Sequence, residues 1–270
     1  MRAAKGTRPL AQRSLGSSGG RSVWSLAGPL ATLLLWWAVA RLRLVNPLLL
    51  PSPERVILAA QDIGPRILVH VVATLLRILT GFVLGCTIGV SVGVVMQYSR
   101  RAYVLLDGII ETFRPVPPVA AVPFFILIFG FSELGKVVIV TMGVSLVMAV
   151  TTVEAFERVP LGIMRWGLIS GLDRRVLFRR VLLPAAIPEM RGGVRISLAL
   201  AITLVIVSEF LGATAGVGYL ISVAKVTLTT PTLLLAMFVL GWLGWFLDRV
   251  TRFLFNHWTA WDSRAGGALL

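Results

Sequence analysis

The chain is poor in the residues that build soluble-enzyme chemistry. It has one cysteine, two histidines and three tyrosines in 270 residues, and 12 acidic residues against 26 Lys and Arg. A lone cysteine excludes an internal disulfide and a thiolate metal site. Cys86 sits in the apolar run TGFVLGCTIGV, where a small core residue is the plain reading. His70 and His257 lie far apart with no second ligand at metal spacing, so a zinc or iron site is unsupported. The chain also lacks a G-x-x-x-x-G-K-[ST] phosphate loop, a G-x-S-x-G elbow and an HExxH pair. No catalytic, metal or cofactor site is therefore expected, and the energy for any work must come from a gradient or from another subunit.

Apolar residues are what the chain has instead. Its composition is 57% hydrophobic with a mean hydropathy of +0.88, beyond the range of soluble domains. A net charge of +14 would suggest nucleic acid in a soluble protein. Here the arginines flank apolar runs, where they meet lipid headgroups and set topology, so membrane lipid is the expected partner and nucleic acid is not.

Six apolar segments, about 23–40, 69–96, 104–129, 137–156, 194–213 and 232–253, approach the roughly 20 residues a helix needs to cross about 30 Å of hydrocarbon. The alternation of a membrane barrel is absent, so the fold class is all-α, a polytopic membrane protein with about six transmembrane helices. Residues 1–22 read as a disordered basic cytoplasmic tail, 23–262 as a transmembrane domain and 263–270 as a C-terminal tail. Ala38-Val39-Ala40 invites a signal-cleavage reading, which Trp36-Trp37 beside it disfavours. With the N-terminus inside, the inner connections collect Arg100, Arg101 and the arginines of 158–193, while the outer ones hold Arg41, Arg43, Arg55, Arg66, Lys136 and Lys225. The positive-inside rule then puts both termini in the cytoplasm. Ser52-Pro53-Glu54 has the form of a helix start, predicting a short amphipathic helix on the outer surface.

Several residues inside or beside these runs are candidates for function. Arg114-Pro115-Val116-Pro117-Pro118, with Pro123 beyond, must kink or break the third segment, which makes it either a pathway element or a bend serving packing alone. Arg77, Arg195 and Glu209 are ionisable groups within predicted spans and expected to face the interior or water. Arg77 and Glu209 are placed to form a buried pair, which would set helix packing or touch solute. Glu111 and Arg114 have the spacing of an interfacial salt bridge.

The segment 158–193 interrupts the apolar pattern with a basic, amphipathic stretch. Leu161, Met164, Leu168, Leu172 and Val176 recur at three- and four-residue steps as an apolar stripe. Gly171 allows a turn between two short helices, and Pro184 and Pro188 are expected to end the surface segment. On these grounds alone the segment could equally rest on anionic lipid.

Gly171, nine residues, then Val181-Leu182-Leu183-Pro184 resembles the cytoplasmic signature of ABC importer permeases. The likeness extends through TLLRILTGF, FRPVPPVAAVPFFILIFGFSELGK, LPAAIPEMRGGVRISLALA and VSEFLGATAGVGYLI, which resemble the nitrate, sulfonate and taurine branch of those permeases. The resemblance implies a type I importer fold in a bacterial cell membrane, working as a homodimer or heterodimer with cytoplasmic ATPases that bind the ATP and an external substrate-binding protein. It implies ATPase docking by Gly171, Leu172, Asp173, Arg174, Arg175, Leu183 and Pro184. The solute would be small and anionic, of the sulfonate, taurine or nitrate kind, and Arg77, Arg114 and Arg195 would give its pathway a positive potential, with Pro115, Pro117, Pro118 and Glu209 as further pathway or packing residues. One departure stands out: the family's usual Glu-Ala-Ala is Arg165-Trp166-Gly167 here, a charge reversal in the docking segment. The rival reading is a gradient-driven transporter or channel, which predicts an internal repeat and coupling acids. No repeat is visible, and Glu209 is the one clear acid within a span.

Overall fold

Glycines at four-residue spacing decide how the longest helices meet. The computed structural model describes residues 18–261, with side chains from residue 27 onward except that of Leu168. Helices α3 (Arg66–Tyr98) and α6 (Glu133–Glu157) form its largest interface. On α3, Gly81, Gly85, Gly89 and Gly93 make one row, facing Val140, Val144, Met148 and Thr152 on α6. A Cβ at Gly81 or Gly85 would stand 2.6 Å from the Cβ of Val140 or Val144. Only hydrogen fits there, so the backbones approach closely and dispersion contacts accumulate along the row, the usual source of helix association in lipid.

The chain divides into two units, residues 1–55 and 56–270. In the first, α1 (Ser18–Arg41) includes the expected 23–40 span and begins before it, so the end of the expected N-terminal tail is helical. The rest of that tail, like the C-terminal tail, lies outside the described residues. The Trp36 indole donates to the Pro51 carbonyl (3.1 Å) and the Trp37 indole to the Glu54 carboxylate (3.0 Å). The Ser52 hydroxyl, the backbone and Trp37 together hold the Glu54 carboxyl below its ordinary range. These bonds fix the start of α2 (Pro53–Ile63), the short amphipathic helix that Ser52-Pro53-Glu54 predicted.

In the second unit the expected third span is not one helix. Residues 104–129 divide into α4 (Arg100–Phe113) and, after a 3-10 turn at Pro118–Ala121, α5 (Val122–Phe129), bent by 80°. Pro117 is extended and Pro118 opens the 3-10 turn, while Pro123 takes the second position of α5, where its missing N–H costs no helical bond. Arg114, just past α4, lies 3.9 Å from Glu154 in the last turn of α6, so α4 lies near that end of α6.

After α6 come α7 (Leu161–Ile169) and a helical run from Arg174 to Gly212, 39 residues long. The run comprises α8 (Arg174–Leu177), a π turn at Phe178–Leu182, α9 (Leu183–Ala186), a 3-10 turn at Ile187–Met190 and α10 (Arg191–Gly212). Pro184 and Pro188 therefore do not end the surface segment as expected. The π turn widens the ladder ahead of Pro184, the Leu183 N–H reaching back to the Phe178 carbonyl, and Pro188 falls at the start of the tighter 3-10 turn. The short α11 (Val217–Val226) and the long α12 (Thr230–Trp258) complete the bundle.

Among the described residues four stretches are long and apolar enough to span a membrane, and five with the bent pair counted as one. The core joins Ile78 of α3, Val122 of α5, Val144 of α6, Leu204 of α10 and Leu243 of α12.

Candidate functional site

One end of the bundle holds a buried charge cluster assembled from four elements. His70, Thr74 and Arg77 follow at helical steps on α3, and Glu209 lies in the last turn of α10. Glu209 is 1% exposed and Arg77 6%. The Arg77 Nη1 donates to Glu209 Oε1 (2.7 Å) and to the Ala215 carbonyl (2.6 Å). Its Nε and Nη2 fork onto the Glu133 carboxylate at 2.6 and 2.7 Å. Lys136 is buried beside them, donating to Glu133 (2.9 Å) and to the Phe131 carbonyl (3.2 Å). Two cations meet two carboxylates, Glu133 at 62% exposure and the other three ions buried, so the cluster is neutral and each buried charge has a partner.

The same side chains cap the N-terminus of α11. The Thr74 hydroxyl donates to Glu209 (2.8 Å) and accepts from the Val217 N–H (2.8 Å). Glu209 Oε2 accepts from the Gly218 N–H (2.7 Å), and His70 Nδ1 accepts from the Gly216 N–H (3.1 Å). A helix start leaves its first N–H groups orphaned and partly positive, and here α3 and α10 supply the acceptors. Gly216 has φ +137°, and a Cβ on it would run into the Glu209 carboxylate. The loop can wrap the acid because it carries glycine there.

Arg77 and Glu209 thus meet, but the other arginines considered with them lie elsewhere. Arg195, half exposed near the start of α10, bonds Asp248 of α12 (2.8 Å), which also holds Arg252 (2.7 Å). Arg114 bonds Glu111 (3.0 Å) and faces Glu154. The structure does not bring the three arginines together, and each is matched by carboxylate. The bend at Pro115, Pro117 and Pro118 instead borders an apolar cavity of about 440 Å³, lined by Phe113, Val116, Pro118, Phe125 and Met142 among others.

The segment between α6 and α10 carries the second candidate surface. Gly171 turns the chain with φ +70°, a conformation that favours glycine, and the Asp173 side chain accepts from the Arg175 N–H (3.2 Å) to start α8. Gly171, Asp173, Arg174 and Arg175 are exposed, and an Arg174 Nη2 reaches the Tyr98 carbonyl (3.5 Å). Leu172, Leu183 and Pro184 are half-buried and belong to the packing of the segment. That packing is specific: Phe178 stacks on Phe156 of α6 and meets Tyr98 of α3 edge-on, both at 5.3 Å. Beside it Val159, Ala186 and Met190 pack with Phe255 of α12.

The expected apolar stripe does not form one inward face. The left-handed Gly171 ends α7 and breaks the helical phase, so Leu161 and Met164 are exposed while Leu172 and Val176 are half-buried; the Leu168 side chain lies outside the described residues. Trp166 and Ile169 join Leu161 on the surface at 68% and 86% exposure. Gly167 faces inward, where a Cβ would strike Leu177.

Fold and site together define a helical membrane subunit whose surface segment is braced by the ends of three long helices. The chain belongs to the family described as binding-protein-dependent transport system inner membrane component, whose model matches residues 81–258. It is 31% identical to the taurine transport system permease protein TauC of Escherichia coli strain K12 over 249 residues, 89% of this chain and 90% of that one. It is 30% identical to SsuC of the same organism, assigned to aliphatic sulfonates transport, over 87% of this chain and 90% of that one. Its fold is that of type I ABC importer permeases: a chain from the inward-facing MetNI methionine ABC transporter matches with a TM-score of 0.55 at 24% identity, over 71% of this chain and 97% of that one.

Proposed function

We propose that this chain is the membrane-spanning permease subunit of an ATP-driven importer for a small anionic solute of the sulfonate or taurine kind. The permease body is 23–262. Cytoplasmic ATPases bind the ATP and dock on the segment 158–193, and an external binding protein delivers solute to the opposite end, with both termini inside. Two permease copies, or this chain and a second permease, enclose the path. The observation that carries the reading is the braced segment. It presents Gly171, Asp173, Arg174 and Arg175 to the surface while Phe178 and Met190 lock it to α3, α6 and α12. A push on such a segment moves the helices it is packed against, as rigid-body rocking requires.

The solute class rests on the named relatives, TauC and SsuC. Arg77, Arg114 and Arg195 are matched by carboxylates, so discrimination of the anion falls mainly on the binding protein. The test is reconstitution. A complex of this chain with its ATPase, showing hydrolysis stimulated by binding protein and ATP-dependent sulfonate uptake, supports the reading. Uptake by this chain alone, without ATP, refutes it in favour of a gradient-driven carrier.

A further inference from the structure

The outward face of α7 has a charge at its centre and apolar groups around it. Ile163 and Gly167 mark the inward side, the first packing on the Val159 cluster and the second against Leu177. At about 100° per residue, Arg165 lies on the order of 160° around the helix from both. Its neighbours one turn away in either direction are Leu161 and Ile169, 64% and 86% exposed, with Trp166 alongside at 68%. The Arg165 side chain makes no hydrogen bond or ion pair among the described residues, and neither do the side chains of Arg175, Arg179 and Arg180 on the adjoining run.

A helix lying on lipid keeps its charges at the edges of the apolar face, where they reach headgroups. A cation in the middle of that face would be pressed into hydrocarbon, at a cost of several kcal/mol when unpaired. A protein pocket has the opposite preference, because a carboxylate set among apolar walls pairs with the guanidinium as the walls exclude water. We infer that the surface receiving α7 is an apolar pocket with a carboxylate at its floor, carried by the ATPase subunit. Arg165 is the specificity residue that selects such an ATPase, and Trp166 and Ile169 fill the walls. The inference rests on the importer reading and adds the chemistry of the partner's docking site.

The test uses tagged full-length permease co-expressed with its ATPase and purified in detergent and in nanodiscs of neutral and of anionic lipid. Arg165→Leu is expected to lower ATPase retention about thirtyfold or more, as when one partner of a buried interfacial charge pair is removed. Arg165→Lys is expected to keep a large part of it, and Trp166→Ala to lose several-fold. Arg165→Glu is expected to lose retention and to regain it when one Asp or Glu of the ATPase docking face is changed to Lys. Thermal stability of the permease alone is expected to stay at the wild-type value for all four, since the positions are exposed. Wild-type ATPase retention by Arg165→Leu, or an effect of Arg165 substitutions that appears only in anionic nanodiscs, would overturn the inference and leave the importer reading standing. Failure of the wild-type chain to retain any ATPase overturns both.

Discussion

Replacing Arg77 by Met separates a structural clasp from a solute site. The Met side chain fills much of the volume of the arginine stem but leaves Glu209, 1% exposed, without its cation. Glu209 keeps its bonds from Thr74 and Gly218, and Glu133 keeps Lys136. Removing one partner of a buried pair costs about 3–5 kcal/mol, mostly because the remaining charge stays buried and uncompensated. For a chain of this size each kcal/mol lowers the melting temperature by about 2–4 °C, so Arg77→Met is expected to melt roughly 6–20 °C below wild type. Adding Glu209→Gln removes the stranded charge while leaving an oxygen for the Gly218 N–H and the Thr74 hydroxyl. The double variant is expected to recover most of the loss, because a neutral, well-packed replacement of a buried pair is often near neutral. The assay is thermal unfolding of wild type, both single variants and the double variant in one detergent, read as a double-mutant cycle. A coupling energy of about 2 kcal/mol or more is expected, and additivity within about 0.5 kcal/mol would refute the clasp as an energetic unit.

Gly85→Ala should destabilise the bundle by about 1–3 kcal/mol through overpacking, since its Cβ would stand 2.6 Å from Val144 Cβ and 2.8 Å from the Thr141 carbonyl. Gly108→Ala, where a Cβ meets nothing within 4 Å, is the neutral control in the same melting assay. Gly171→Ala forces an alanine to φ +70° at a strain of about 1–2 kcal/mol, and is expected to depress binding-protein-stimulated ATP hydrolysis more than it lowers the melting temperature. Arg195→Gln breaks a half-exposed pair with Asp248 worth less than about 1 kcal/mol. Coupled uptake by that variant should stay within about twofold of wild type, and a larger loss at unchanged stability would restore a role for Arg195 in the solute path.

The parts legible in sequence were those with no alternative environment. Arg77 and Glu209 stood out because an ionisable group inside an apolar run has to find a partner or water. Glu133 and Lys136 gave no such signal: an acid and a base at a helix start look like ordinary capping residues, and only folding brings them onto Arg77. The α3 glycines at four-residue spacing went unread, because the partner row that gives them meaning on α6 is ordinary Val, Met and Thr. The break of the third span was legible in Pro115, Pro117 and Pro118, but its angle of 80° was not, because it depends on how α4, only 14 residues long and apolar on one side, and α5 pack on the rest of the bundle. In the surface segment the turn at Gly171 was legible, but three- and four-residue steps counted across it join Leu161 to Val176 in one stripe, although the left-handed Gly171 resets the helical phase. Pro184 reads as a terminator in the sequence, where nothing marks the π turn at Phe178–Leu182 that carries the helical run past it.

The clasp and the surface segment are ends of one continuous element. The helical run from Arg174 to Gly212 leaves the Asp173 cap, is gripped at Phe178 by α3 and α6, and carries Glu209 in its last turn. Its 39 residues correspond to roughly 58 Å of helix at about 1.5 Å per residue, more than a bilayer core needs. A helix of that length held at both ends resists stretching, so a displacement imposed near Gly171 must appear at Glu209 or bend the run between. The far end is poorly suited to gradual adjustment: its bonds span 2.6 to 3.1 Å, their acceptors lie on α3, α6 and α10 and take N–H groups from the start of α11, and charge neutrality fails if any one ion leaves. Bonds of this kind either hold or break. The clasp therefore ties α3, α6, α10 and the N-terminus of α11 into one body, whereas α5 meets that body through the apolar side chains of Val122, Phe125 and Ile126.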